Sequence, residues 1–424
     1  MGKGTNNRYA ILVVGIITLL FYGILYAWSV FIPPLEDEFG WDRSQTSLVF
    51  SVSMIGLSLG MLSAGVFSKK LKLRHVFLMG GALVICGLNL CRLVTQLWQL
   101  YVFYGVFCGY GVGLAYTSWT TNTLAWFGDK VGVASGLLVM GFGMGSVVLG
   151  ELITLLIYSP LGWRWAFTII GIIVLLWSLC AAPFMKDPPA QIAQLKPKHD
   201  NVGLDTTAAQ TAKSPAFWTF CLWRSVFMGS VAAIIAQATV VITGIGGSIA
   251  FATMAVAALS LGNGLGRPVG GLVYDHIGQY RSLILFPALG FAISLAMIPF
   301  YFRGAYTVFT VLLLAEGLVY GMYSAMNTSY IRTTFGQRHL AINTGISAIV
   351  LAPFNLLFPL IAASIFNATG SYDAFFAILP ICAVISLACG ILTKPAIARL
   401  VKRHAPDAGS EPGNDIEGAS HRGN

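Results

Sequence analysis

Long apolar stretches alternate with short polar ones along the whole chain. Runs of roughly 20 apolar residues, the length at which a helix crosses a hydrocarbon core, recur near 9–32, 45–67, 75–95, 98–126, 132–158 and 163–185. A second set falls near 215–240, 248–272, 280–301, 305–330, 340–365 and 371–393. The pattern predicts an all-α membrane protein with 12 transmembrane helices. A β-barrel would show short alternating strands instead. Between the two sets lies Lys186 to Ser214, rich in Pro, Lys, Gln and Asp. The chain therefore divides into a six-helix half (1–185), a linker (186–214), a second six-helix half (215–394) and a polar tail (395–424). Past His404 the tail has the composition of a disordered segment.

Composition sharpens this picture. Only 10% of the residues are charged and 56% are hydrophobic, against about 25% charged in soluble domains, which excludes a soluble enzyme. The first apolar run begins near Tyr9, is too long for a signal-peptide core, and reads as a retained helix. The net charge of +9 raises nucleic acid as a partner, but its placement argues for topology. Lys69, Lys70, Lys72, Arg74, Lys130, Lys186, Lys196, Lys198, Lys213, Arg281, Arg332 and Arg338 fall in loops on one side. Lys3, Arg8, Lys394, Arg399, Lys402 and Arg403 add to that side. The opposite loops hold Glu36, Asp37, Glu38, Asp42 and Asp373. The positive-inside rule then puts both termini in the cytoplasm, for a multi-pass protein of the cell (inner) membrane with lipid rather than nucleic acid as its surroundings.

Enzymatic chemistry finds no foothold. The seven cysteines all sit in apolar runs, with neither a disulfide framework nor metal-ligand spacing. Gly56-Leu-Ser58-Leu-Gly60 fits the nucleophile-elbow pattern, which requires a strand-to-helix turn, yet it lies inside a span. No phosphate-binding or dinucleotide fingerprint is present, so no cofactor, metal or ATP drive is expected.

The two halves echo one another. Leu57–Gly60 reads LSLG and is followed by Gly65 and a basic loop; Leu259–Gly262 reads LSLG and is followed by Gly266, Gly271 and a second loop. Related halves are the plan of alternating-access carriers, whose site lies between them near the membrane midplane. Gly271-Leu-Val-Tyr-Asp275-His-Ile-Gly278-Gln-Tyr-Arg281 resembles the signature loop G-x-x-x-D-x-x-G-x-x-R of the major facilitator superfamily. Its first-half copy is degraded, with Lys69 where the Asp belongs and Lys72 where the second Gly belongs.

Three segments resemble the oxalate/formate antiporter and monocarboxylate transporter branch more narrowly. They are Gly23-Ile-Leu-Tyr26-Ala-Trp28 through Pro33 with Glu38-Phe-Gly-Trp41, Gly109 through Tyr116 continuing to Gly136, and Asn263-Gly-Leu-Gly-Arg267-Pro268. The resemblance implies the major facilitator fold, a small carboxylate as substrate, a proton as co-substrate and a monomeric unit. Lactate- or pyruvate-like monocarboxylates moved by symport are the first expectation, and an oxalate/formate-type exchanger is the alternative. A non-transporting membrane sensor is the rival from another class; the linker and tail are short for an output domain. The exchangers are expected to carry a second buried cation in the eleventh span, where this chain has Leu351, so a monoanion is favoured. Animal monocarboxylate carriers are expected to have an aspartate where Asn263 stands.

Candidate chemistry centres on Arg267. A charge at that depth costs at least about 2.5 kcal/mol, and a guanidinium fork matches a carboxylate through two parallel hydrogen bonds. Pro268 removes a backbone donor beside it. Asn263, four residues before, shares its face and serves either substrate or an interhelical bond. The resemblance puts spans one, four, seven and ten around the cavity, which adds Tyr26, Tyr116, Tyr320 and Tyr323 as substrate-binding candidates. Glu316 and Glu151 are the proton-coupling candidates, and Arg224 is a cation available to neutralise one of them. Gly271, Asp275, Gly278 and Arg281 form the expected conformational loop. Gly105, Gly109 and Gly113, and likewise Gly141 and Gly145, have the spacing of close helix contacts.

Overall fold

The computed structural model describes residues 3–193 and 204–404; the expected disordered tail and the centre of the linker lie outside the described residues. Among the described residues every regular element is helical. The long helices are α1 (Lys3–Tyr22, tightening into 3-10 turns over Gly23–Val30), α2 (Arg43–Phe67), α3 (Leu73–Cys91), α4 (Leu97–Trp126, with a π-helical stretch at Tyr101–Cys108), α5 (Val131–Ile157) and α6 (Gly162–Ala181). They continue as α7 (Pro215–Gly244), α8 (Ile249–Ile277), α9 (Gln279–Phe302), α10 (Tyr306–Phe335), α11 (Leu340–Thr369) and α12 (Asp373–His404). Eleven spans among the described residues are long and apolar enough to cross a membrane. Helix α8, of 29 residues, is about 44 Å long at 1.5 Å per residue and also exceeds the core.

Lipid supplies no hydrophobic drive between helices, so association depends on close backbone packing. The glycine ridges provide it. A Cβ at Gly56 or Gly60 would meet the Gly105 or Tyr110 carbonyl of α4, and one at Gly109 or Gly113 would meet the Ser53 or Leu57 carbonyl of α2. The elbow-like motif at Gly56–Gly60 is therefore a helix-packing surface, and its Ser58 hydroxyl donates to the Met54 carbonyl of its own helix. Gly141 and Gly145 pack in the same way on Ile16, Leu20 and Gly23 of α1. In the second half Gly262 and Gly266 of α8 meet the Leu314 and Leu318 carbonyls of α10, while Gly317 and Gly321 of α10 meet Leu259 and Asn263. The α2–α4 and α8–α10 pairs thus repeat one interface, which is what the LSLG echo encodes.

The halves meet along two seams, α5–α8 and α2–α11. Gly132 abuts Gly271, Gly136 abuts the Arg267 and Pro268 backbone, Gly65 abuts Ile342, and Gly345 abuts Met61 and Leu62. Ser135 bonds Ser329 at 2.6 Å, and Gln337 donates to the Thr121 carbonyl at 3.0 Å. Among the described residues, these joining contacts all lie toward the end that carries Lys69, Lys130, Arg281 and Arg338, here called the basic end. The described part of the linker docks there too: Thr206 donates to the Phe335 carbonyl at 3.0 Å, and Asn343 donates to the Thr206 carbonyl at 3.2 Å. Toward the far end the seams part. Gly264 of α8 faces space in which an added Cβ meets nothing within 4 Å, and Tyr26 of α1 is 36% exposed.

Candidate functional site

The floor of this cleft is set by charge at mid-membrane depth. Arg267 lies ten residues before the end of α8 and Arg224 nine residues after the start of α7. At 1.5 Å per residue both are about 14–15 Å from the basic end, half the thickness of a roughly 30 Å core. Tyr116 of α4, ten residues before Trp126, is at the same level.

Arg267 is 7% exposed. Its Nη1 crosses the seam and donates to the Val139 carbonyl of α5 at 2.5 Å, while its Nε is buried without a hydrogen-bond partner. The space it occupies is made by α5: a Cβ on Gly143 would fall 2.0 Å from Nη1. Gly132, Gly136, Val139 and Gly143 are spaced as one helical face, and that face receives α8. With Nη1 tied to backbone, the Nε–Nη2 edge of the fork makes no hydrogen bond to the described residues. Pro268 lacks an N–H, so the Gly264 carbonyl four residues before it has no helical donor.

Arg224 is 3% exposed. Its Nη2 donates to the Ser347 carbonyl of α11 at 2.8 Å, and its Nε is also buried and unpartnered. Among the described residues, neither arginine makes an ion pair. Both act electrostatically on the Tyr116 and Tyr320 hydroxyls, and Tyr26 acts on the same two. Phe142 of α5 joins the aromatic wall, with its ring 5.3 Å from Tyr26 and 5.1 Å from Tyr116. Ring contacts thus gather Tyr26 and Tyr116 around Phe142, with Tyr320, Arg224 and Arg267 within electrostatic range of this group. Asn263 keeps its place beside Arg267, and its Oδ1 is buried without a partner.

Three expectations need correcting. First, the missing cation at Leu351 does not leave one positive charge. Arg224 supplies a second from α7, and its partner is a backbone carbonyl rather than a glutamate. Second, Tyr323 is not in the cleft. It is fully buried, stacks on Trp223 at 4.1 Å and Phe227 at 4.4 Å, and bonds Ser386 at 2.8 Å; it packs the second half. Third, neither proton-coupling candidate reaches the arginines. Glu316 is fully buried on the α9-facing side of α10, 3.4 Å from the Ser294 hydroxyl, with Oε2 unpartnered. Glu151 is exposed on the far-end portion of α5.

The conformational loop closes the basic end of the α5–α8 seam. The Asp275 carboxylate accepts from the Gly132 and Val133 N–H groups, both at 2.8 Å. These are donors of the first turn of α5, which has no internal acceptor for them. Gly271 permits the approach, Gly278 takes φ = 85° to end α8, and Arg281 is exposed. At the far end, Glu38 receives Trp163 Nε1 at 2.7 Å and Arg164 Nη1 at 2.7 and 2.9 Å, which ties the α1–α2 connection to α6. Partial burial works against this carboxylate, but the bonds from Arg164 and Trp163 outweigh it and hold Glu38 below the usual glutamate range.

A family profile described as Major Facilitator Superfamily matches residues 14–352. The chain belongs to that superfamily. It is accordingly a transporter and not an enzyme. It is 26% identical over 401 residues to the oxalate:formate antiporter of Oxalobacter formigenes, covering 94% of both chains. It is 25% identical over 398 residues to monocarboxylate transporter 12-B of Danio rerio, covering 85% of this chain and 81% of that one. Among solved structures, the E. coli fucose:proton symporter FucP superposes with a TM-score of 0.68 at 14% identity, covering 91% of this chain and 99% of the other. This last likeness concerns fold.

Proposed function

We propose that the chain is a secondary active carrier of small organic carboxylates, working by alternating access with its basic end in the cytoplasm of the cell (inner) membrane. The supporting observation is a pair of buried guanidiniums at mid-membrane depth whose hydrogen-bond partners are backbone carbonyls. Uncompensated charge there is costly, and a carboxylate is the counter-ion that a guanidinium fork recognises best. The tyrosine and phenylalanine wall suits the short hydrocarbon part of such an acid. The names of the two relatives point to the same class of cargo.

Lactate and pyruvate are the monocarboxylates to test first. Proton symport needs a carboxyl that senses the occupied site, and Glu316 faces α9 instead. An unoccupied cleft with two positive charges is also a poor candidate for reorienting empty. Exchange of one carboxylate for another is therefore the coupling mode that the site chemistry favours. The decisive assay uses purified, monomeric protein in proteoliposomes. Labelled acid uptake is measured with and without internal acid and with and without a pH gradient. Uptake that requires internal acid supports exchange. No uptake of any carboxylate under either gradient refutes the proposed function.

A further inference from the structure

We propose that Arg224 is a second anion-binding group of the site, so that the preferred cargo is a small organic dianion spanning Arg224 and Arg267. The proposal rests on the carboxylate-carrier function above and specifies its substrate.

Among the described residues, the groups recorded around Arg224 are neutral. From α7 comes Cys221, whose thiol is 3.7 Å from the Ser347 hydroxyl; from α11 comes the Ser347 carbonyl; and from α10 comes Asn327, whose amide oxygen receives the Ser347 hydroxyl at 2.8 Å. Tyr116 of α4 and Tyr320 of α10 interact with it electrostatically. If Arg224 only tied α7 to the Ser347 carbonyl, a neutral amide donor would serve, without the burial penalty of a charge. Its buried, unpartnered Nε is a donor that a carboxylate can take up.

Arg224 and Arg267 sit at nearly equal depth on neighbouring helices of the same half, and each holds one nitrogen on a backbone carbonyl. Each keeps other nitrogens for ligand. Tyr116 and Tyr320 stand within electrostatic range of both, so a molecule held at these hydroxyls is exposed to both charges. A monoanion in this position leaves one positive charge uncompensated at the membrane centre. A dianion compensates both, and diacids of two to four carbons have carboxylates close enough together for a compact cleft.

The test compares acids matched in size and differing by one charge: succinate with succinamate, and malonate with malonamate. Binding to purified wild-type protein is read by thermal shift and by competition for transport. The expected result is that each dianion binds about tenfold more tightly or better than its half-amide, and that R224Q shrinks this ratio at least about tenfold. Loss of one charge-assisted interaction is sufficient for that change. Equal wild-type affinity for a diacid and its half-amide overturns the proposal whether or not R224Q folds. So does an undiminished ratio in a folded R224Q. Absence of binding by every acid and half-amide refutes the carboxylate-carrier function itself, a distinct outcome.

Discussion

Gly143→Ala is the sharpest probe of how the site is held. In the present geometry its methyl would lie 2.0 Å from Arg267 Nη1 and 2.7 Å from Cζ. Ordinary carbon contacts begin near about 3.5 Å, so the guanidinium must retreat by roughly 1.5 Å. The obstructing atoms are the far end of a flexible side chain, and α5 itself need not move. The retreat breaks the 2.5 Å bond to the Val139 carbonyl, which fixes the orientation of the fork. A hydrogen bond involving a charged group contributes about 1.5–3 kcal/mol. If that orientation is what prepares the Nε–Nη2 edge for a carboxylate, the apparent affinity falls about 10- to 100-fold, at 1.4 kcal/mol per decade. The assay is concentration-dependent uptake in proteoliposomes, with thermal melting to verify the fold. Gly150→Ala is the control on the same helix, because its Cβ would meet only Val30, at 3.7 Å. Half-saturation within twofold of wild type for every transported acid would show that the Val139 bond is incidental to binding.

Three further outcomes follow from the same structure. Arg267→Gln should abolish carboxylate uptake while its melting temperature stays equal to or above wild type, since a buried unpaired charge is removed; robust uptake by this variant defeats the role of Arg267. Asp275→Asn should weaken the bonds to the Gly132 and Val133 N–H groups and shift the protein toward opening at the basic end. Spin labels at Lys130 and His276, both exposed, should report longer distances, and an unchanged distribution would exclude Asp275 as a latch. Glu38 is held below its usual range, so the stability it contributes is present above the unfolded glutamate value of about 4.3 and is lost as pH falls through the lower folded value. The melting-temperature gap between wild type and Glu38→Gln should therefore be full near neutrality and close under acid. A gap that is unchanged at the acid end would refute the assignment.

The sequence made the helices and their pairing legible because lipid imposes simple requirements: about 20 apolar residues per span, basic loops on one side, and glycines where backbones touch. Gly105, Gly109 and Gly113 lie against α2 as their spacing indicated. Arg267 was legible for an equally simple reason, since a charge in a span demands an account. The same rule applied to Arg224, but one-dimensional reading could not decide whether it met a glutamate. Only the packing of α7 against α11 shows that it meets a carbonyl. Tyr323 fails for a related reason. Tyr320 and Tyr323 are three residues apart on α10, yet one faces the cleft and the other stacks among Trp223, Phe227 and Phe286. Phe142 carried no signal, being one aromatic among many in a span.

The degraded first copy of the signature loop becomes meaningful beside the intact one. At the α5–α8 seam a carboxylate caps the start of α5, and about 10 Å further along, from Gly132 to Val139, the same seam ends at the Arg267–Val139 bond. The α2–α11 seam has Lys69 where a carboxylate would stand, and it is closed by packing of Gly65 on Ile342 and Gly345 on Leu62. The two seams are therefore unequal. Among the described residues, only α5–α8 joins a carboxylate cap to a buried cation, so under the proposed function an anion arriving at Arg267 acts directly on the bond that tops this seam. Competition for the guanidinium would loosen α8 from α5 at the cleft floor, leaving Asp275 as the remaining polar tie. Under the proposed function, substrate occupancy and opening at the basic end are therefore expected to be linked through this helix pair, which the Asp275→Asn distance measurement tests.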